Sequence, residues 1–507
     1  MTMLTKYSLS SLWSLLLVAG VVAALPQQNH AGCGPSPPTV STTSGRIHGK
    51  IDPSLPNVNQ YLGIPYAVPP VGDRRWTAPE LLSQPDVDVE ATSLPPSCMQ
   101  YLTDLGDSLY VRDVLQFNLQ GLNTTGAITE DCLTLSVWAP SSSSNQPVPV
   151  LIFFYGGGFS TGGQDVPYQI PAQWVNRTPD HIVVSFNYRV NIFGFPNAGG
   201  LDQQNLGLLD QRAAVEWCRA NIAAFGGDPE RMVIWGQSAG SISVDYYNFA
   251  YHSDAVVKGL IMDSGTALSP IATEDQTHAN FSFVAEHVGC ANLTGDYGQQ
   301  LACMRGVDAA TLEDFVAAYD ESGASPSISF VPVVDDKIVF ANYTERAEAG
   351  LQAQIPAIIG TNAQDGVAFA PYNPAGPNRT VALEEKLAIF FCPATESIRL
   401  RQQTPDLTPT FRYVYFGNWT NISPRPWMGA YHSSELPMLM GTHPDFRGPS
   451  TPQEYATSEA FQDAYVAFAR EGVAGLEAQA WNEYAALGQG QTSMHSVSAA
   501  AGSAGSA

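Results

Sequence analysis

From residue 148 onward, short continuous apolar runs alternate with longer stretches in which apolar residues recur every three or four positions. The runs at 148–155, 182–187, 232–236, 260–263, 357–361 and 411–416 are rich in β-branched and aromatic residues and do not alternate with polar ones. That pattern predicts strands buried on both faces. Residues 208–224 and 454–470 carry helical spacing and predict helices. Strands separated by helices imply an α/β fold around a large, mostly parallel sheet flanked by helices. No internal repeat or linker divides residues 35–490, so 25–495 is expected to be a single domain despite its length.

The two ends depart from this pattern. Lys6 precedes an apolar segment, 12–22, that leads into Ala23 and Ala24, so 1–24 is expected to be a secretory signal peptide and the protein to work outside the cell. Asn-x-Ser/Thr acceptors at Asn123, Asn176, Asn280, Asn292, Asn342, Asn378, Asn418 and Asn421 agree with export, although Pro424 disfavours the last. Residues 496–507 are almost entirely Ala, Gly and Ser, which predicts a disordered tail without an anchor. No second apolar run is long enough for a transmembrane anchor.

Charge removes one class of partner. A net charge of −24 offers no basic surface for phosphates, so nucleic acid is not expected as a ligand. An oxidising compartment makes disulfides the default for the seven cysteines, and the odd number leaves one over. Cys218, in the helical stretch 213–223, is expected to be a buried thiol. Zinc-type spacing, dinucleotide loops and phosphate loops are lacking, so no metal or organic cofactor is expected.

The chemistry centres on residues 231–249. An apolar strand, Met232 to Trp235, runs into Gly236-Gln237-Ser238-Ala239-Gly240 and then into helical spacing at Ile242, Tyr246 and Phe249. Glycines on both sides of a serine at a strand-to-helix turn hold the hydroxyl out at the sheet edge, which makes Ser238 the candidate nucleophile. A second match, around Ser160, is followed by Gly162, Gly163 and Pro167 rather than a helix, so it is expected to be a plain turn. Upstream, strand 148–154 enters Tyr155-Gly156-Gly157-Gly158, where absent side chains let backbone N–H groups approach an oxyanion. The amides of Gly157, Gly158 and Ala239 are the candidate donors.

A serine of this kind needs an acid and a histidine further along the chain. Asp365 follows the buried run 357–361 through a polar turn and is the candidate acid, with a turn-capping aspartate as the alternative. His432, after a Pro/Gly-rich loop, is the candidate base, and His252 and His443 are its rivals.

These residues resemble the type-B carboxylesterase/lipase family, and secreted fungal carboxylesterases in particular. Phe225-Gly226-Gly227-Asp228-Pro229 through Gly240 is similar to the family's serine motif, and Glu130-Asp131-Cys132-Leu133 through Pro140 to its second motif. The resemblance spans about residues 39–490 and implies an α/β-hydrolase that cleaves carboxylic esters through an acyl-serine. It implies the roles of Ser238, Asp365, His432, Gly157, Gly158 and Ala239 given above, with Asp365 where many members have Glu. It also implies disulfides Cys98–Cys132 and Cys290–Cys303 and structural ion pairs Arg75–Glu130 and Arg189–Asp210. Cys33 and Cys392 match no family-wide pair. Tyr155, in place of a histidine, implies an open oxyanion loop.

Two readings concern the substrate. Between Cys98 and Cys132, Leu102, Leu105, Leu109, Val111, Val114, Leu115, Phe117 and Leu119 fit either a packed surface loop or a mobile cover over an acyl site. Gln237 rather than Glu before the serine, and no tryptophan in 99–131, argue against a quaternary-ammonium cage and for uncharged esters. A long-chain lipase, or a binding module without activity, would be the alternatives.

Overall fold

Continuous apolar runs become the inner strands of a ten-stranded sheet in the computed structural model. The structure describes residues 37–101, 109–112, 114, 128–142, 146–273, 277–291, 295–403, 408–445, 447–484 and 495–497. The sheet strands are β1 (Lys50–Ile51), β2 (Val58–Pro65), β3 (Thr134–Pro140), β4 (Val148–Phe154), β5 (Ile182–Phe186), β6 (Gly227–Gln237), β7 (Gly259–Asp263), β8 (Ala357–Asn362), β9 (Thr410–Tyr415) and β10 (His495–Val497). Their spatial order is β1-β2-β3-β5-β4-β6-β7-β8-β9-β10. Pairing is antiparallel from β1 to β5 and parallel from β5 through β4 to β10. Every residue of β4 is buried, as expected of a central strand covered on both faces.

The order places β6 between β4 and β7, with β8 next beyond. The C-terminal ends of these parallel strands therefore lie together, and the segments that follow them converge at one edge of the sheet. Four helical elements matter for that edge: α1 (Leu206–Asn221), α2 (Ala239–Ala250), α3 (Arg379–Glu385) and α4 (Pro452–Glu471). Helix α2 packs on β6 and β7, and α4 on β4 and β6.

Local chemistry sets the helix ends. At α4 the Thr451 hydroxyl accepts from Glu454 N–H while the Glu454 carboxylate accepts from Thr451 N–H, with Pro452 in the first turn. The structure thus starts this helix two residues before the apolar spacing does. Helix α1 ends earlier than its spacing predicts, because Ile222–Phe225 tightens into a 3₁₀ turn closed by Gly226 in the left-handed region.

Ser496 and Val497, expected in a disordered tail, pair with Val414 and Tyr415 as β10, because β9 would otherwise leave its outer backbone groups without strand partners. The segment 1–24 lies outside the described residues, as do Cys33, Asn123, Asn292 and residues 498–507.

Covalent and ionic ties close the surrounding loops. Disulfides join Cys98 to Cys132 and Cys290 to Cys303, while Cys218 is a buried thiol and Cys392 an exposed one. Arg75 grips Glu130 with two parallel bonds of 2.6 and 2.7 Å and also reaches the carbonyls of Met304 and Val307. Arg189 makes a similar buried fork on Asp210 at 2.8 and 2.7 Å. Removing one member of such a buried pair leaves the other charge unsatisfied, so both pairs serve to fix the fold.

Candidate active site

Strand β6 turns into α2 without an intervening loop, and Ser238 occupies the turn with φ 57° and ψ −124°, a conformation that side chains rarely adopt. The glycines around it are required by contact. A Cβ on Gly236 would lie 2.2 Å from Gly240 O, and one on Gly240 would lie 1.9 Å from Phe154 O at the end of β4. Ser238 N–H donates to Asp263 O at 2.9 Å, so backbone alone fixes the serine between β4 and β7.

The glycine loop after β4 is shaped by the same sterics. Gly157 has φ 115°, and a Cβ there would meet Thr161 O at 2.2 Å; Gly158 has φ 64°. Ser160 and Thr161 N–H groups donate back to Gly157 O, which curls the loop beside Ser238. Tyr155 points away from the reacting edge: its hydroxyl donates to Tyr188 O and its ring stacks on Tyr188 at 4.4 Å. Gly157, Gly158 and Ala239 line one cavity with Ser238 and His432.

Asp365 begins a short 3₁₀ turn after β8 and is fully buried. Its Oδ1 accepts from His432 Nδ1 at 2.9 Å, and its Oδ2 accepts from Asn362 N–H at 2.7 Å and from Ser264 Oγ at 3.0 Å. A proton on Nδ1 shared with Asp365 leaves the Nε2 lone pair facing the cavity. The His432 ring is clasped by Phe390 at 4.6 Å and Phe369 at 5.1 Å, which limits its rotation. Tyr110 donates to His432 O at 3.0 Å.

Neither rival histidine reaches this cavity. His252 contacts Phe249 O at the end of α2. His443 bonds Ser450, and burial pulls it down to about 4. Ser160 stays in its glycine turn, with its hydroxyl on Gly158 O, and is not among the cavity's lining residues.

Several participants are not marked in the sequence pattern. Gln237, expected only to lack charge, holds its Nε2 3.3 Å from His432 Nε2 and so contacts the same lone pair that a serine proton would need. Ser264 sits at φ 57° directly after β7. Behind it Asp263 accepts from Tyr413, Tyr465 and Trp235, while burial raises its carboxyl to about 6. Burial also pushes Glu435 well above the usual carboxylate range, helped by the nearby charge of Asp263. Glu435 bonds Asn362, whose backbone N–H holds Asp365. A polar layer therefore backs the acid.

The cavity has a volume of about 280 Å³, with Ile242, Ile271, Ile389 and Phe390 among its apolar walls. Tyr110 also lines it, so part of the segment between Cys98 and Cys132 forms a wall of the cavity. Leu109 and Val114 are buried, whereas Leu102, Leu105, Leu115, Phe117 and Leu119 lie outside the described residues. Among the described residues no His/Cys/Asp/Glu group is arranged to hold a metal, and no helix is long and apolar enough to cross a membrane.

The glycan acceptors differ in access. Asn378 and Asn418 are exposed, Asn342 caps a short helix at the surface, and Asn176 and Asn280 are partly covered. Asn421 is buried, and its Nδ2 donates to His443 O and to Ser450 Oγ, which leaves no room for a sugar on that nitrogen in the folded chain.

Comparison with known proteins bears on the same elements. Residues 36–389 match the Carboxylesterase family. The chain is 46% identical to a chlorogenic acid esterase of Aspergillus niger over 440 residues, covering 86% of this chain and 83% of that protein. It is 41% identical to secreted lipase 5 of Gibberella zeae over 477 residues, covering 87% of each. An acetylcholinesterase of Gallus gallus is 33% identical over 337 residues, covering 64% of this chain and 42% of that enzyme. With its large, mostly parallel sheet and a strained serine at the β6–α2 turn, the chain belongs to the carboxylesterase family and is an ester hydrolase of the α/β-hydrolase fold.

Proposed function

We propose that this protein is a secreted serine esterase that cleaves uncharged carboxylic esters, with Ser238 as nucleophile, His432 as base and Asp365 as the orienting acid. The observation that carries this reading is the 2.9 Å Asp365–His432 bond beside a cavity that His432 shares with Ser238. His432 Nε2 takes the Ser238 proton as Oγ attacks the ester carbonyl, and Asp365 holds the tautomer and stabilises the imidazolium. N–H groups of Gly157, Gly158 and Ala239 bind the oxyanion; losing one donor of this type costs about 2.7–4 kcal/mol of transition-state stabilisation. The alcohol leaves with the proton from His432. Water then attacks the acyl-serine, with His432 as base again, and releases the acid.

Gln237 must give up the Nε2 lone pair when Ser238 bonds it, a small rearrangement that bound ester would drive. The apolar walls and the neutral Gln237 favour uncharged acyl and alcohol groups. The signal-like segment 1–24, the exposed acceptors Asn342 and Asn378, and a relative named as secreted support action outside the cell.

A serine-reactive organophosphate tests the core of this reading: the intact protein should be labelled and Ser238→Ala should not. Equal labelling of both would remove Ser238 from the role. A neutral ester should also exceed its size-matched choline counterpart in kcat/KM at moderate salt. The relative named as a lipase supports a second reading, and emulsified long-chain esters turned over faster than dispersed short-chain ones would favour it.

A further inference from the structure

A second cavity of about 570 Å³ lies behind the acid–histidine wall. Two cations line it: Arg379, exposed on α3, and Lys386, half-buried where α3 passes into the π-helical turn Lys386–Phe391. No aspartate or glutamate lines it. In a chain with a net charge of −24, two cations at one concavity without a lining carboxylate are a local reversal of sign. Among the described residues neither cation makes an ion pair. Lys386 Nζ lies over the Phe391 ring at 5.3 Å, and burial draws its ammonium below the usual range against the raising charge of Asp365.

The rest of the wall is mostly apolar side chains, with Gln364 and Asn418 as polar members. Trp427 stands over Gly376, and Leu383 and Phe416, both large and apolar, are 53% and 48% exposed. Trp427 is fixed by a bond from its Nε1 to Pro374 O, and Gln364 accepts from Ala430 N–H, so both are held before any ligand arrives. The volume falls within the roughly 300–1,000 Å³ of small-molecule sites.

We infer that this cavity binds an amphiphilic monocarboxylate, with the carboxylate between Arg379 and Lys386 and the apolar body against Trp427, Leu383 and Phe416. A guanidinium can take a carboxylate through two parallel bonds, and a half-buried ammonium gains from a close anion. A neutral molecule of the same shape leaves both cations without an ion pair, with Lys386 still over the Phe391 ring at 5.3 Å. A dicarboxylate would find no further cation among the lining residues for its second charge. The site is distinct from the ester cavity, although Lys386 heads the turn whose Ile389 and Phe390 line that cavity. The inference does not depend on which residue is the nucleophile.

Octanoate is a suitable probe, titrated calorimetrically into the full-length protein at low salt with octanamide as its neutral match. Saturable octanoate binding is expected, with octanamide weaker by about tenfold or more. Arg379→Gln and Lys386→Gln should each weaken octanoate by about fivefold, and the double variant should bind no more tightly than it binds octanamide. Raising salt should weaken octanoate and leave octanamide unchanged. Arg379→Lys keeps the charge but loses the fork, so it should weaken octanoate less than Arg379→Gln does, which separates lost charge from lost folding. Absence of saturable binding, equal affinity for octanamide, or unchanged octanoate binding in the double glutamine variant would each overturn the inference.

Discussion

On one side of the ester cavity Ser238 is fixed by backbone: its N–H bonds Asp263 O, and Gly236 and Gly240 let three chain segments touch where any side chain would collide. On the other side Asp365 and His432 are fixed by side chains and rings, through Ser264, the Asn362 amide, Phe369 and Phe390. The backbone arrangement leaves no room for a side chain at its glycines and uses only the main chain of β4 and β7 beside it. The side-chain arrangement is expected to lose one member and keep its shape, with effects on turnover graded by how directly the member touches the imidazole.

The largest effects should come where the two sides meet. Ser238→Ala and His432→Ala are each expected to lower kcat by about 10⁴–10⁶ with the melting temperature little changed, and the double variant should be no worse than either. Asp365→Asn should lower kcat by about 10³–10⁴ with KM less affected. Near-normal kcat in that variant would remove the contrast, because the side-chain layer would then have nothing to orient.

Gly240→Ala should break the other side by a different route. A methyl 1.9 Å from Phe154 O cannot be absorbed by a side-chain rotation, so the expected outcome is loss of folded, soluble protein rather than a folded, inactive one. A stable Gly240→Ala protein with normal circular dichroism would show that the turn has more freedom than these contacts allow. Ser264→Ala should be milder: the acid keeps the Asn362 amide and His432, so kcat should fall by about three- to tenfold with stability nearly intact.

The smallest effect concerns the polar layer behind the acid. Asp263 has its folded pKa raised to about 6 by burial, so between about pH 4 and 6 the folded chain holds a proton that the unfolded chain has released. Stability from this group is present at low pH and is lost as pH rises through 6. His443, lowered to about 4, acts in the opposite sense between about 4 and 6.5. Asp263→Asn removes the first contribution, relaxes the push on Glu435 and leaves His443 unchanged. Its melting temperature should therefore be lower overall, yet should rise more, or fall less, from pH 4 to 7 than that of the native protein, by about 2 °C or more. Parallel profiles would show that the carboxylate is not proton-linked in this range.

The same contrast explains what could be read before the structure. The serine turn is contiguous, so a strand pattern, two glycines and a helical pattern within a few residues identify it. The inner strands were equally legible, because burial on both faces writes an unbroken apolar run, as in β4. Asp365 and His432 lie 67 residues apart, and spacing alone favours His432 over His443 only slightly; the fold brings His432 to Asp365. Ser264 carries no mark at all, since its value lies in a left-handed backbone set by β7 and β8. The antiparallel edge is less legible because β2 breaks register between Tyr61 and Ile64, which interrupts a clean alternation. The Gln237–His432 contact needed the fold as well.

The disulfide between Cys98 and Cys132 closes a segment with a sequence separation of 34, and Tyr110, on the cavity wall and bonded to His432 O, belongs to it. Closing a loop of that length removes about 3–4 kcal/mol of chain entropy from the unfolded state. The compartment in which the chain is made therefore shapes more than its yield. Enzyme produced in a reducing host and enzyme passed through an oxidising one share a sequence and a serine turn, but they present differently anchored walls to the substrate, and selectivity measured on the first kind need not describe the second.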